Sequence, residues 1–165
     1  MRVCTKQYTG TKGVYAHFTP DRYTAHLLTG IVWSTHPPFP TYSVPYTSHV
    51  TAMCSDSMLT TIKMPFPKKA IYTGIEKVDY WKQPDGKGIA VFVMDSPLFQ
   101  HVHSLLTQRG AVHRYNNFIP HVTIALNLEI PEHKVKQWVA RSNLYLNHEK
   151  HTLTFNRLKI RDMQF

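Results

Sequence analysis

Two short segments each set a threonine two positions after a histidine: "SHVTAM" carries His49 and Thr51, and "IPHVTIAL" carries His121 and Thr123. Both sit in apolar runs that read as strands. Alternate side chains on a strand share a face, so each segment offers one imidazole beside one hydroxyl, with Val50 or Val122 turned the other way. An imidazole titrates near about 6.5, so around neutral pH one ring serves as base while a second serves as acid. Two imidazoles and two hydroxyls converging on one volume suit a phosphodiester. One ring takes a proton from an attacking hydroxyl and the other protonates the departing oxygen, while the threonines donate hydrogen bonds to non-bridging oxygens. Both proton transfers are supplied without a metal, and the residues leave open which histidine is base and which is acid.

The bare spacing carries little weight. With 11 histidines and 25 serines plus threonines in 165 residues, about 1.7 H-x-[S/T] matches arise by chance, and the chain has three. The third, His17-Phe18-Thr19, is explained by Thr19 acting as a helix cap before Pro20. What distinguishes the other two is their place in a repeated pattern. "GVYAHF" (13 to 18) reads as a strand, followed by a helix that starts at Thr19 and Pro20 and ends at Gly30. "GIAVFVMD" (88 to 95) reads as another strand, followed by a helix capped by Ser96, with Pro97 in its first turn and Gly110 at its end. Each strand-helix pair precedes one H-V-T segment.

A duplicated chain of this length predicts an α+β fold. Two pseudo-symmetric lobes would have antiparallel sheets lining a central cleft and helices outside, all within a single bilobal domain over residues 1–165. Residues 70 to 95 read as two antiparallel strands around the Pro84-Asp85-Gly86 turn. "HPPFPTYSVPY" (36 to 46) reads as a loop, residues 131 to 141 as a short amphipathic helix, and residues 151 to 165 as one final strand.

Composition narrows the partners. Lys and Arg outnumber Asp and Glu by 19 to 10, a net charge of +9 spread along the chain, which attracts phosphates. Cys4 and Cys54 are too few for a disulfide framework, and no signal-type or membrane-spanning apolar run is present, so the expected location is the cytoplasm. "HVH" (101 to 103) is a poor zinc site, since i and i+2 diverge by about 200° on a helix. His17, His26, His36, His113, His133, His148 and His151 lack metal-ligand spacing and read as surface or capping residues. With no phosphate-cradling glycine loop either, no metal, cofactor, membrane or protein partner is expected.

The paired H-V-T strands in a duplicated strand-helix chain resemble the two-histidine (2H) phosphoesterase superfamily. Within it, "GVYAHFT", the H-V-T pair and the central "DYW" are most similar to the phage anti-CBASS branch. That resemblance implies cleavage of a 3′-5′ bond in a cyclic di- or trinucleotide, such as 3′,3′-cyclic GMP-AMP, by the neighbouring ribose 2′-hydroxyl. It casts His49, Thr51, His121 and Thr123 as the catalytic tetrad. It also implies Tyr15 and Trp81 as base-stacking platforms and Glu149 as an acceptor for a guanine edge, with the proline-rich loop and Lys82 as candidates to close over the ligand. The rival readings are an RNA end-processing enzyme that opens terminal 2′,3′-cyclic phosphates, and a nucleotide-binding protein that does no chemistry.

Overall fold

The computed structural model describes residues 13–40, 48–56, 70–115, 117–156 and 158–162. Expectations for the second half of the proline-rich loop and for the last three residues of the chain lie outside the described residues. The described part is a mixed α+β structure with antiparallel sheets. Eight strands are β1 (Val14–Phe18), β2 (Val50–Ser55), β3 (Ile71–Thr73), β4 (Ile75–Lys82), β5 (Gly88–Met94), β6 (His121–Leu128), β7 (Leu153–Phe155) and β8 (Lys159–Asp162). Three helices are α1 (Arg22–Ser34), α2 (Pro97–Gln108) and α3 (Glu132–His148). No helix among the described residues is long and apolar enough to cross a membrane.

Six strands form one continuous sheet in the order β4-β5-β6-β2-β1-β8, and β3 pairs with β7 in a small second sheet. The hairpin-like pairs β1–β2 and β5–β6 meet in the middle, where β2 and β6 run antiparallel through the single pair Val50 and Val122. Beyond that point β2 leaves β6. Its edge is taken up instead by the segment after α2: the Arg114 N–H donates to Cys54 O at 2.9 Å, and the Val112 N–H to Ser55 Oγ at 2.9 Å.

Alternation along the strands divides the sheet into two faces. Val14, Ala16, Phe18, Val50, Ala52, Ala90, Phe92, Val122 and Ile124 join one buried cluster with Leu28 and Val32 of α1, Phe99 and Val102 of α2, and Val135 and Trp138 of α3. Each fully buried side chain of this kind contributes roughly 1.5–3 kcal/mol of transfer free energy, so the helical layer is held to that face. The residues between them, Tyr15, His17, Thr51, His121 and Thr123, are half-buried on the opposite face. The fold thus separates core from candidate chemistry by strand parity alone.

Several local expectations change. Asp21, not Thr19, caps α1, accepting from the Thr24 N–H at 2.7 Å, and the helix runs past Gly30 to Ser34, because a glycine in a well-packed helix only lowers its propensity. At α2 the expectation holds: Ser96 accepts from the Leu98 N–H, Pro97 opens the helix, and Gly110 follows it at φ +95°. The final strand is two strands, since β7 pairs with β3 and β8 with β1, and the helix expected at 131–141 continues to His148. The 70–95 hairpin turns where expected, with Gly86 at φ +82°. Gly88 is required for a different reason: the Tyr80 ring lies across the place a Cβ would take.

The edge strand β4 is closed by α3. Asn143 accepts from the Val78 N–H at 2.8 Å and donates to the Val78 carbonyl at 2.9 Å, so one amide side chain completes the pairing another strand would supply.

Candidate active site

The first H-V-T segment enters β2 one residue after His49. There the Tyr15 hydroxyl lies 2.7 Å from His49 Nε2 and 3.0 Å from Thr51 Oγ1, joining the imidazole to the hydroxyl of the same motif. Burial raises the Tyr15 phenol above its ordinary value, with Thr51 and Arg161 opposing, so the hydroxyl stays protonated and able to donate. The Arg161 guanidinium stands 4.9 Å over the Tyr15 ring, within cation–π range.

The second motif opens β6. His121 Nδ1 lies 2.7 Å from the carbonyl of Ile119; a carbonyl only accepts, so Nδ1 carries the proton and Nε2 of the neutral ring keeps its lone pair. The Trp81 ring meets His121 edge-on at a centroid distance of 4.8 Å. Burial pushes His121 below its ordinary value, the Ile119 hydrogen bond opposes that, and the positive charge of His49 adds to the lowering. β2 and β6 meet antiparallel at Val50 and Val122, the residues that follow His49 and His121 in their motifs. Thr123 itself pairs with Val91 on the other side.

Trp81 is held from behind. Its indole N–H donates to Asp79 Oδ2 at 3.2 Å, while Lys77 Nζ lies 2.9 Å from the same carboxylate. Burial alone would raise Asp79, but hydrogen bonds from Lys77, the Tyr80 N–H and Trp81 outweigh it and keep the carboxyl below its usual range. Lys82 pairs with Glu132 at 3.4 Å, so its charge is directed to α3. Glu149 follows the end of α3, exposed, with its N–H donating to the Tyr145 carbonyl.

Sequence reasoning set His17 aside, yet its ring lies 5.8 Å from His49 and 5.1 Å from Tyr15, on the same sheet face. Burial, then the positive charges of His49, Arg161 and Lys159, pulls it down to about 4, and its Nδ1 is buried without a partner. The signal was present as strand parity: His17 alternates with Ala16 and Phe18 just as Thr51 does with Val50 and Ala52. His113 is likewise no surface residue. It packs against His103 and Phe118, receives the Cys54 N–H at 3.5 Å, and is pulled down to about 4 by burial first and by His103 and His121 next. His103 turns inward, its Nδ1 donating to Ala52 O at 2.7 Å, whereas His101 is exposed. Among the described residues, no three His, Cys, Asp or Glu side chains are grouped to hold a metal ion.

A family model described as anti-CBASS protein Acb1 matches residues 12–156, which contain both H-V-T motifs, Tyr15 and Trp81. The chain belongs to the Acb1 family. Among curated proteins, the anti-CBASS protein Acb1 of Vibrio phage KVP40 is 34% identical over 77 residues, a stretch covering 47% of this chain and 49% of that relative. The aligned part thus spans about half of the Acb1 relative's length. Of the described strands, only β8 (Lys159–Asp162) lies beyond the segment matched to the Acb1 family.

Proposed function

We propose that the chain evades CBASS antiphage defence as a phosphodiesterase that opens 3′-5′ linkages of cyclic di- or trinucleotides such as 3′,3′-cyclic GMP-AMP. The observation carrying this reading is the approach of the two H-V-T motifs on adjacent strands through the pair Val50 and Val122, with Thr51, His121 and Thr123 half-buried on the sheet face away from the core. Membership of a family described as anti-CBASS supports the biological role. The same pairing supports a two-lobed 2H phosphoesterase arrangement, in which β1–α1–β2 and β5–α2–β6 are diverged copies related by an axis near that pair.

In this mechanism His121 is the general base. Its Nδ1–H is committed to the Ile119 carbonyl and burial keeps the ring neutral, so Nε2 accepts the proton of a ribose 2′-hydroxyl. The 2′-oxygen forms a bond to phosphorus as the bond to the 5′-oxygen breaks. His49 gives that leaving oxygen a proton, while the Thr51 and Thr123 hydroxyls donate to the non-bridging oxygens. The product is a linear nucleotide ending in a 2′,3′-cyclic phosphate, which water opens with the two histidines in exchanged roles. Two imidazoles supply both proton transfers, so the cycle does not depend on a metal. Trp81 provides a stacking surface for one base, and Tyr15 both orients the His49–Thr51 pair and offers its ring.

The test is incubation with cyclic di- and trinucleotides and with linear RNAs, products being separated by chromatography. Cleavage of the cyclic substrates that survives EDTA, stops on 2′-deoxy substitution and disappears in His49→Ala and His121→Ala is the expected result. Activity confined to terminal 2′,3′-cyclic phosphates of linear RNA would instead identify an end-processing enzyme. Binding without turnover, unchanged in both variants, would identify a non-catalytic binder.

A further inference from the structure

Five of the described cations, Lys77, Lys82, Lys87, Lys136 and Arg114, each sit within 4 Å of a carboxylate. Lys159 and Arg161 are set apart by where they stand. They alternate along β8, paired across the ladder with His17 and Tyr15, so both side chains stand on the face that carries the two H-V-T motifs. Both are exposed, and neither makes an ion pair among the described residues. Arg161 leans over the Tyr15 ring at 4.9 Å, which directs its guanidinium inward along the sheet face. Every charge acting on His17 is positive, namely His49, Arg161 and Lys159. A sheet face that gathers these cations, with no carboxylate in ion-pair range of either among the described residues, suits an anion brought from outside.

We propose that Lys159 and Arg161, with His17 beneath them, form a second phosphate subsite for the substrate. The inference rests on the reading of the paired motifs as the cleavage site. One linkage is gripped by His49, Thr51, His121 and Thr123, and the next phosphate of the same ring is held at β8. Two strands separate β8 from β6, and β8 is two strand spacings from β2, about 10 Å, a gap that long lysine and arginine side chains shorten by reaching inward. The subsite makes the number of phosphates a criterion of selection: a ring with two or three linkages is held at both places, whereas a molecule with a single linkage gains nothing from β8. Guanidinium and ammonium together give a bidentate fork and a mobile point charge, the two modes by which proteins hold phosphate oxygens.

The experiment compares 3′,3′-cyclic GMP-AMP with the dinucleoside monophosphate ApG, which has a scissile 3′-5′ linkage and a 2′-hydroxyl but no second phosphate. For the cyclic substrate, Lys159→Ala/Arg161→Ala should raise KM by about tenfold and leave kcat within about twofold. The slope of log(kcat/KM) against log salt should flatten by about 0.7, the value for one lost phosphate contact on single-stranded nucleic acid. The kcat/KM for ApG should not change, and Lys159→Arg/Arg161→Lys should keep most of the affinity for the ring. If the unaltered protein cleaves cyclic GMP-AMP and the double alanine variant retains its KM and salt slope, the subsite is overturned while the cleavage reading stands. An equal loss on ApG also overturns it, since that marks a general disturbance of the face. Failure of the unaltered protein to bind or cleave any cyclic oligonucleotide removes the cleavage reading and the subsite together.

Discussion

Replacing Tyr15 by phenylalanine separates the two roles that converge on this side chain. The ring, its contact with Arg161 and its capacity to stack on a base remain, while the hydroxyl that bridges His49 Nε2 at 2.7 Å and Thr51 Oγ1 at 3.0 Å is lost. Both bonds join half-buried side chains, and a hydrogen bond between such groups contributes roughly 0.5–1.5 kcal/mol. If that orientation is fully expressed in the transition state, the barrier rises by about 1–3 kcal/mol, a loss of about five- to a hundred-fold in kcat. KM for a cyclic dinucleotide should stay within about threefold, because stacking belongs to the ring face and not to the hydroxyl. Tyr15→Ala should add a rise in KM to the same fall in kcat. Steady-state kinetics on 3′,3′-cyclic GMP-AMP, with circular dichroism to confirm folding, gives both numbers. An unchanged kcat in Tyr15→Phe would show that the hydroxyl orients nothing. A lower KM together with a higher kcat would show that it occupies the position of a phosphate oxygen and must be displaced. Either result refutes the orienting role.

Trp81→Ala should raise KM by about five- to a hundred-fold through loss of base stacking of roughly 1–3 kcal/mol. Because burial is the main cause of the lowered His121 value, the same variant should move the acidic limb of the kcat/KM profile to higher pH. A profile that keeps its acidic limb would break the link between Trp81 and the base. Stability should fall in acid: His17 and His113 sit near 4 when folded against an ordinary 6.5, so the unfolded chain binds more protons between those values. Each shift corresponds to roughly 3 kcal/mol at full weight, and because both rings are only partly buried, about 1–2 kcal/mol apiece is expected after screening. That contribution is present above pH 6.5 and is lost as pH falls toward 4. Urea unfolding at pH 7 and pH 4.5 should show it, and His17→Gln/His113→Gln should flatten the difference; an undiminished difference would place the acid sensitivity elsewhere. Asn143→Ala removes two hydrogen bonds from an edge strand and should lower stability by about 1–3 kcal/mol in urea unfolding at pH 7.

Much of this could be read from the chain, for identifiable reasons. Strong punctuation marked α2, whose Ser96, Pro97 and Gly110 act where their chemistry suggests, and the Asp85-Gly86 turn between β4 and β5. Alternation around His121 and Thr123 correctly put both on one face. At α1 the reading failed because Thr19 and Asp21 are both competent caps, and only packing selects between them. The end of the chain was read as one strand because apolar and polar residues alternate throughout it, while the break near Asn156 depends on which partners lie nearby. His17 was lost because a histidine before a plausible cap has a sufficient local explanation. Its proximity to His49 depends on pairing across β1 and β2, which no single segment records. Tyr15 was implied by the family resemblance, but its hydroxyl contacts became visible only with both strands in place.

The two flanks of the large sheet are protected by unlike means. On one side the Asn143 amide covers β4; on the other, β8 is the outermost described strand and relies on the charge of Lys159 and Arg161 to discourage a neighbouring molecule from adding its own ladder. Those cations therefore serve colloidal behaviour as well as recognition. Neutralising them to change which rings are accepted would also remove a guard against polymerisation, and a variant selected for altered preference would need a replacement guard, such as a proline or an outward acid on the same strand.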